Sequence, residues 1–191
     1  MPPFPHHKIQ ASISVRQATA RDAQELCNLI NQAYGSTSSW ANADHTPQSQ
    51  RVNLHELNDL LLNTRKHLLV ATITSCGGQE KMVGCIQLEY CKNCPGCRLP
   101  PQSIFLSLFA THPDHQGQGI GRLLFQRALD VAVEWWSDEL EAAYLWVMDQ
   151  RQAIMNWYMK LGFESTGAKC ETEGKLYHVL RKSILAREVP V

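Results

Sequence analysis

Residues 111–125, THPDHQGQGIGRLLF, join a glycine-rich turn directly to a strongly apolar stretch. The preceding run SIFLSLFATH (103–112) has the apolar and aromatic composition of a buried strand. From Ile120 to about Trp136 the apolar residues keep helical spacing. A strand, a bare turn and a helix in this order place the unpaired N–H groups of the helix start where a ligand can approach them. The segment therefore predicts an anion-binding turn.

Two well-known phosphate motifs do not fit this turn. A Walker loop ends in Gly-Lys-Ser/Thr, whereas Gly121 is followed by Arg122 and Leu123. The dinucleotide fingerprint requires G-x-G-x-x-G, whereas Gly117, Gly119 and Gly121 form G-x-G-x-G. Taken alone, the pattern is also compatible with a glycine-rich connection in front of a structural helix.

Composition narrows the class of protein. The chain has 191 residues, with 18 Lys and Arg against 18 Asp and Glu, so it has no basic excess for nucleic acid or an anionic membrane. No apolar run approaches the roughly 18 residues of a membrane span. Seven cysteines, an odd number, without a secretory pattern at the N-terminus predict a reducing, cytoplasmic location. We expect a flexible leader over 1–11 and one domain over 12–191.

Hydrophobic periodicity gives the order of the elements. Strands are predicted at 12–18, 67–73, 81–90, 103–112, 142–148 and 175–184. Helices are predicted after Thr19 as N-cap, over 49–63, from the glycine turn to about Trp136, and from Asp149 as N-cap to Gly162. This order of elements predicts one mixed α/β sheet with helices packed on its faces.

Two segments carry specific motifs. In SLFATHPDHQGQGIGRLLF, the residues Gln116, Gly119 and Gly121 match the pattern Gln/Arg-x-x-Gly-x-Gly/Ala, and RQAIMNWYMKLGF (151–163) holds an aromatic–Tyr pair followed by Gly-Phe. Together they resemble the GNAT superfamily of N-acetyltransferases, and the similarity in element order covers 12–184. The resemblance implies a single-domain α/β fold with a mixed, mostly antiparallel sheet flanked by helices, the GNAT-like fold.

The resemblance also implies a set of residues that bind acetyl-CoA. The backbone of the turn would cradle the pyrophosphate, and the end of the preceding strand would hydrogen-bond the pantetheine arm. That strand and AAYLWVM (142–148) would separate around the thioester. The cofactor-binding residues implied in this way are Phe109, Ala110, Thr111, Gln116, Gly117, Gln118, Gly119, Ile120, Gly121 and Arg122.

The implied reaction is direct transfer of the acetyl group from acetyl-CoA to a primary amine of a small molecule, peptide or protein. Tyr158 matches the position of the family's general acid, and a phenol with a pKa near ~10 stays protonated at neutral pH. The alternative is that it only packs beside Trp157. The inward strand positions Phe105 and Ser107 cannot act as strong bases. Glu89 is the predicted base, acting through water, with a solvated strand end as the alternative.

Three further features leave alternatives open. The weak base allows a second reading, a CoA-binding GNAT-like module with little transferase activity. CKNCPGC (91–97), in a hairpin insertion at 91–102, gives Cys91, Cys94 and Cys97 a metal-like spacing but no fourth ligand in the motif. We predict free thiols or a labile disulfide here, and the alternative is a metal site completed by Cys85 or a histidine. Arg151 stands where many relatives have Asn, and the polar loop 35–50 is expected to overhang the acceptor site.

Overall fold

The elements follow the predicted order with one addition. The structure, a computed structural model, describes residues 12–35, 50–75, 77–91, 99–136, 140–172 and 174–184. The predicted leader 1–11, most of the cysteine loop and most of loop 35–50 lie outside these residues. The elements are β1 (Ser12–Gln17), α1 (Ala23–Gly35), α2 (Leu54–Leu62), β2 (Lys66–Thr74), β3 (Glu80–Tyr90), β4 (Ser103–Thr111), α3 (Ile120–Trp136), β5 (Ala142–Met148), α4 (Gln152–Lys160), β6 (Glu164–Thr172) and β7 (Lys175–Ser183).

The seven strands form one sheet in the order β1-β2-β3-β4-β5-β7-β6. Every neighbouring pair is antiparallel except β4 and β5, which are parallel. The predicted fold class, a mixed and mostly antiparallel sheet flanked by helices, is confirmed. Among the described helices, none is long and apolar enough to cross a bilayer.

The helices cover the two faces of the sheet unequally. On one face, α3 and α4 pack on all five central strands through a core that includes Leu124, Phe125 and Leu145. On the other face, α1 and α2 cover β2, β3 and the end of β4 through a core that includes Leu26 and Val70. A third cluster, on β5 and β7, contains only strand residues and Leu99 among the described parts of the chain. This unequal cover leaves one side of the β4–β5 region without a described helix.

The starts of two helices differ from the sequence-based prediction. α2 begins at Leu54 rather than before Arg51, because Asn53 caps it by accepting from the N–H of Glu56 at 2.9 Å. The prediction that Asp149 caps α4 is wrong: Arg151 is the N-cap residue, and its side chain makes no capping hydrogen bond to the first turn of the helix. The Asp149 carboxylate instead accepts hydrogen bonds from the side chains of β6 and β7, at 3.0 Å and 2.6 Å.

Strand β6 has no counterpart in the predicted order. Its sequence, ESTGAKCET, lacks the alternation of apolar residues that identifies a half-buried strand, since eight of its nine residues are exposed. It is held instead by backbone pairing with β7 at the edge of the sheet. The strand therefore depends on its pairing with β7, and its local sequence does not predict it.

An ion pair between β1 and the start of α1 makes stability depend on pH. Arg16 donates to both carboxylate oxygens of Asp22 at 2.9 Å, and the Thr19 N–H donates to the same group at 2.6 Å. The Arg16 hydrogen bond is the main cause that lowers the pKa of Asp22 from 3.8 to about 2. Because the folded-state pKa lies below the unfolded one, this stabilisation is complete above the unfolded pKa and is lost as pH falls toward the folded value.

We therefore expect Asp22→Asn to lower the free energy of unfolding at pH 6 by at most about 2 kcal/mol. The difference between the variant and the parent should shrink as pH falls from 3.8 to about 2. Denaturant unfolding across that range measures the effect, with the exposed Asp59→Asn as control. A difference that stays constant with pH would show that the Arg16 pair does not carry the effect.

Candidate active site

A cleft opens between the two parallel strands of the sheet. β4 and β5 pair only over three positions, Ser103 to Phe105 opposite Ala142 to Tyr144. Beyond Phe105 the two strands have no paired positions, although β4 continues to Thr111 and β5 to Met148. The predicted separation of these strands is therefore present. It leaves the last part of β4 with a free edge toward the cleft.

A bulge in β4 lies beside this opening. Cys85 pairs with Ala110 and Gln87 with Ser107, so two residues of β4, Leu108 and Phe109, face one residue of β3. Leu108 has a φ of 41°, in the left-handed region that a residue with a Cβ rarely adopts. Backbone strain of this kind concentrates at functional sites, where it directs main-chain groups away from the regular ladder.

The carbonyls of the bulge have side-chain partners. The Cys85 thiol donates to the Leu108 carbonyl at 3.4 Å, and the Tyr34 hydroxyl donates to the Phe109 carbonyl at 3.3 Å. Burial raises the pKa of the Cys85 thiol to about 12, so this thiol stays protonated and can donate. Cys85 and Tyr34 therefore fix the bulge from the α1 side of the sheet.

The glycine turn leads into α3 with an open backbone. Gly117 and Gly119 have φ values of 74° and 83°, and a Cβ added at either position would meet no atom within 4 Å. The Leu123 N–H donates to the Gly119 carbonyl at 3.1 Å, so Gly119 is the N-cap. The first three N–H groups of α3, on Ile120, Gly121 and Arg122, therefore have no partner in the preceding turn of the helix. They form a positive end of the helix beside unobstructed space.

Gly121 is needed for a different reason. A Cβ at this position would lie 2.9 Å from the ring of Phe109 and 3.2 Å from that of Trp157. These two rings stack at 5.5 Å with an angle of 19°, directly over the first turn of α3. Close packing of β4, α3 and α4 thus requires a glycine here, whereas open space for a ligand is found at Gly117 and Gly119.

The two glutamines of the turn hold its shape. The Gln116 amide donates to the Thr111 carbonyl at 3.4 Å, and the Gln118 amide donates to the Asp114 carbonyl at 3.2 Å. His112 accepts from the Asp114 N–H at 3.3 Å. These contacts tie the turn to the end of β4, so the positions of its N–H groups are set before any ligand binds.

Tyr158 lies on α4, where its ring packs among other aromatic side chains of the hydrophobic core. It is 8% exposed, and its ring lies 5.4 Å from Phe125 and 5.9 Å from Phe163. Burial, followed by the nearby Tyr34, raises the pKa of its phenol well above the usual value. The group therefore carries its proton throughout the neutral range, as a proton donor must.

Tyr34 contacts the candidate site, and the sequence analysis missed it. It sits at the end of α1, contacts β4 through its hydroxyl and lies under the Arg51 guanidinium, which is 5.3 Å from the ring centroid. Burial is also the main cause that raises the pKa of Tyr34. Asn31, one turn earlier on α1, accepts from the Arg51 N–H at 2.7 Å and donates to the Val52 carbonyl at 2.8 Å. No local signal marks Tyr34, because its partner is 75 residues away in the sequence.

Glu89 lies on the open face of the sheet but is not close to the bulge. It pairs with Phe105 in the ladder, four residues or roughly 13 Å along β4 from Phe109. Its carboxylate lies 3.6 Å from the Lys66 ammonium and is 19% exposed. Glu89 therefore lies too far from the bulge for direct contact with a group bound there.

The described cysteines do not form a cluster around a possible metal site. Cys85 and Cys91 are both buried and reduced, and they are six residues or about 20 Å apart along β3, too far to share one metal ion. Cys94 and Cys97 lie outside the described residues. Among the residues that are described, no group of three or more His, Cys, Asp or Glu side chains is placed to hold a metal ion.

Comparison with known proteins identifies the family. The profile of the Acetyltransferase (GNAT) family matches residues 28–163, which span the glycine turn, the cleft and Tyr158. The chain therefore belongs to the GNAT acetyltransferases and is an N-acetyltransferase, as the two motifs predicted. A search of curated protein sequences found no match.

Solved structures share the fold at low sequence identity. A GNAT acetyltransferase from Streptococcus pneumoniae is 20% identical, with a TM-score of 0.65 over 91% of this chain and 100% of that one. A chimera of spermidine N-acetyltransferase SpeG from Vibrio cholerae and hSSAT is 19% identical, with a TM-score of 0.62 over 90% and 95%. The PaiA N-acetyltransferase from Thermoplasma acidophilum, in complex with coenzyme A, is 16% identical, with a TM-score of 0.62 over 91% and 99%.

Proposed function

We propose that this protein transfers the acetyl group of acetyl-CoA directly to a primary amine. The observation that carries the proposal is the open start of α3 at Gly117 and Gly119, and the buried, protonated phenol of Tyr158 on α4 supplies a proton donor. Family membership supports acetyl transfer, and a fold relative is in complex with coenzyme A. The donor, the acceptor and the residue roles given below are part of the proposal.

The turn and the cleft suit two different parts of acetyl-CoA. The N–H groups from Gln116 to Arg122 and the positive end of α3 suit the pyrophosphate, which carries negative charge. The free edge of β4 over Phe109, Ala110 and Thr111 suits the amides of the pantetheine arm, which would hydrogen-bond to it as an added strand does. The thioester would then lie beside the bulge at Leu108.

The chemical step needs three groups around the thioester. The neutral amine attacks the carbonyl carbon, and a main-chain N–H of the bulge stabilises the negative charge that develops on the oxygen. As the carbon–sulfur bond breaks, Tyr158 gives its proton to the departing thiolate. The new amide then loses the extra proton of the amine to water, and Tyr158 regains a proton from solvent. Acetyl-CoA and amine are converted to CoA and acetylated amine.

Turnover separates this proposal from a module that only binds CoA. Release of free thiol from acetyl-CoA would be followed over a panel of primary amines, with the background hydrolysis rate subtracted. We expect acetyl-CoA to raise the melting temperature and at least one class of amine to raise thiol release well above background. Stabilisation by acetyl-CoA without amine-dependent release would favour the binding module instead.

The distance of Glu89 from the bulge limits its contribution to the reaction. We expect Glu89→Gln to lower kcat/KM by less than about tenfold, since a base acting through water gains less than one in direct contact. The loss should be largest at low pH, where the amine is most protonated, and should shrink as pH rises. Initial rates from pH 6 to 9 measure it, with Glu164→Gln on β6 as control. A loss of 100-fold or more would instead make Glu89 a base in direct contact with the amine.

A further inference from the structure

Four aromatic residues lie on one face of β4, β5 and β7. Phe105 pairs with Tyr144 and Trp146 pairs with Val179, so these side chains project from the same side of the sheet. The ring of Trp146 lies 4.9 Å from that of Phe105 and 6.3 Å from that of Tyr177. We call the four residues Phe105, Tyr144, Trp146 and Tyr177 the aromatic face.

The aromatic face begins where the cleft opens. Phe105 and Tyr144 form the last paired position of β4 and β5, and Trp146 lies two residues beyond it, where the strands have separated. The face is opposite the one covered by α3 and α4, and none of the described helices contributes a residue to its cluster. An acceptor that enters the cleft from the side opposite α4 therefore meets these rings first.

The charges beside this face do not suit a polycation. The β4 and β5 residues on this side of the sheet near the cleft, which are Phe105, Ser107, Tyr144 and Trp146, include no carboxylate. On β3 the nearest carboxylate, Glu89, is already paired with Lys66. A polyamine has several ammonium groups, and each needs an unpaired carboxylate or water when it leaves solvent.

Trp146 also has a polar group without a partner. Its indole Nε1 is buried, and none of the described residues accepts a hydrogen bond from it. A buried donor without an acceptor costs about 1–3 kcal/mol. Because this nitrogen is buried, recognition of a ring bound on this face depends on the aromatic carbons of Trp146 and not on its N–H.

We propose that the acceptor is a primary amine attached to an aromatic group, an arylalkylamine, bound against the aromatic face. Its ring stacks on Phe105 and Trp146, which recognise it through apolar area and edge-to-face contacts. The inference depends on the proposed acetyl transfer and specifies its substrate class.

Tyramine, butylamine and spermidine test the inference with the full chain. Tyramine has a ring and a hydroxyl oxygen, butylamine has only the alkyl chain, and spermidine is a polycation. We expect kcat/KM for tyramine to exceed that for each of the other two by at least about tenfold, the size expected from burying one aromatic ring. Initial rates of thiol release at fixed acetyl-CoA measure all three.

Variants of the face locate the preference. Trp146→Leu and Phe105→Leu should each lower kcat/KM for tyramine about 5- to 10-fold, and change that for butylamine less than about twofold. Trp135→Leu, at the exposed end of α3, is the matched control and should change neither. Melting curves with acetyl-CoA verify that each variant folds and binds the donor, and two different ring positions keep the test valid if one variant does not fold.

The outcomes separate the inference from the function on which it depends. If spermidine or butylamine equals tyramine, or if the ring variants slow tyramine and butylamine equally, the substrate class is wrong while acetyl transfer stands. If none of the three amines raises thiol release above background, but other amines do, the substrate class is again wrong. If no amine of any class does, the proposed function fails and the inference fails with it.

Discussion

Replacing Tyr158 with phenylalanine is expected to lower kcat by roughly 100-fold or more, the usual contribution of a positioned proton donor. The phenol is buried and protonated, and the only atom removed is the hydroxyl oxygen. The ring keeps its contacts with Phe125 and Phe163, so the fold and the binding of acetyl-CoA should change little. Steady-state rates together with the Kd for acetyl-CoA distinguish a chemical defect from a binding defect.

The pH profile adds a second measurement on the same residue. Because burial and Tyr34 raise the pKa of Tyr158 above its ordinary value of 10.0, deprotonation of this group should not lower kcat at any pH below 10. Tyr90→Phe, on the ring that stacks on Trp136 at 5.0 Å, is the control for loss of a hydroxyl elsewhere. Activity of Tyr158→Phe within a few-fold of the parent would exclude the proton-donor role and leave Tyr158 as a packing residue.

Replacing Gly119 with alanine is expected to raise the Kd for acetyl-CoA about 10- to 100-fold. The methyl group would occupy the open space from which a pyrophosphate reaches the N–H groups, and loss of one or two charge-assisted hydrogen bonds has this size. The positive φ of 83° also makes alanine strained at this position. Isothermal titration gives the Kd, and thermal unfolding without ligand gives the cost of the strain.

Gly167→Ala provides a matched control for that strain. Gly167 has a φ of 76°, and a Cβ there would meet no atom within 4 Å, as at Gly119, but it lies on the edge strand β6. Both variants should lose similar stability, about 1–2 kcal/mol, because the backbone conformation is similar. Only Gly119→Ala should weaken acetyl-CoA binding. Equal Kd values for the two variants would mean that the turn does not hold the donor.

The features that could be predicted from the sequence are those that depend on local sequence patterns. Helical spacing predicted α3, and the spacing of Gln116, Gly119 and Gly121 pointed to the GNAT family, which the family match confirms. The same pattern does not reveal the structural role of each glycine. Gly121 admits the rings of Phe109 and Trp157, which approach it only after β4 and α4 have packed.

The features that were missed depend on contacts between distant segments. Tyr34 reaches a carbonyl on β4, and the aromatic face combines Phe105 with Trp146 and Tyr177 from three strands. Asp149 is of a residue type that often caps helices and lies just before α4. Its carboxylate nevertheless hydrogen-bonds His178, 29 residues later in the sequence. In each case tertiary contacts override or replace the local signal.

Asn31 has a consequence for how this protein can change its specificity. Its amide oxygen accepts from the Arg51 N–H, and its amide nitrogen donates to the Val52 carbonyl. These two bonds attach Arg51 and Val52, which follow the connection after α1, directly to α1. The two ends of the connection are therefore held together by residues that do not belong to it. The entropy cost of closing a connection changes only slowly with its length. We therefore expect that connections from other acetyltransferases can be exchanged between α1 and Arg51 while the glycine turn at the start of α3 stays intact.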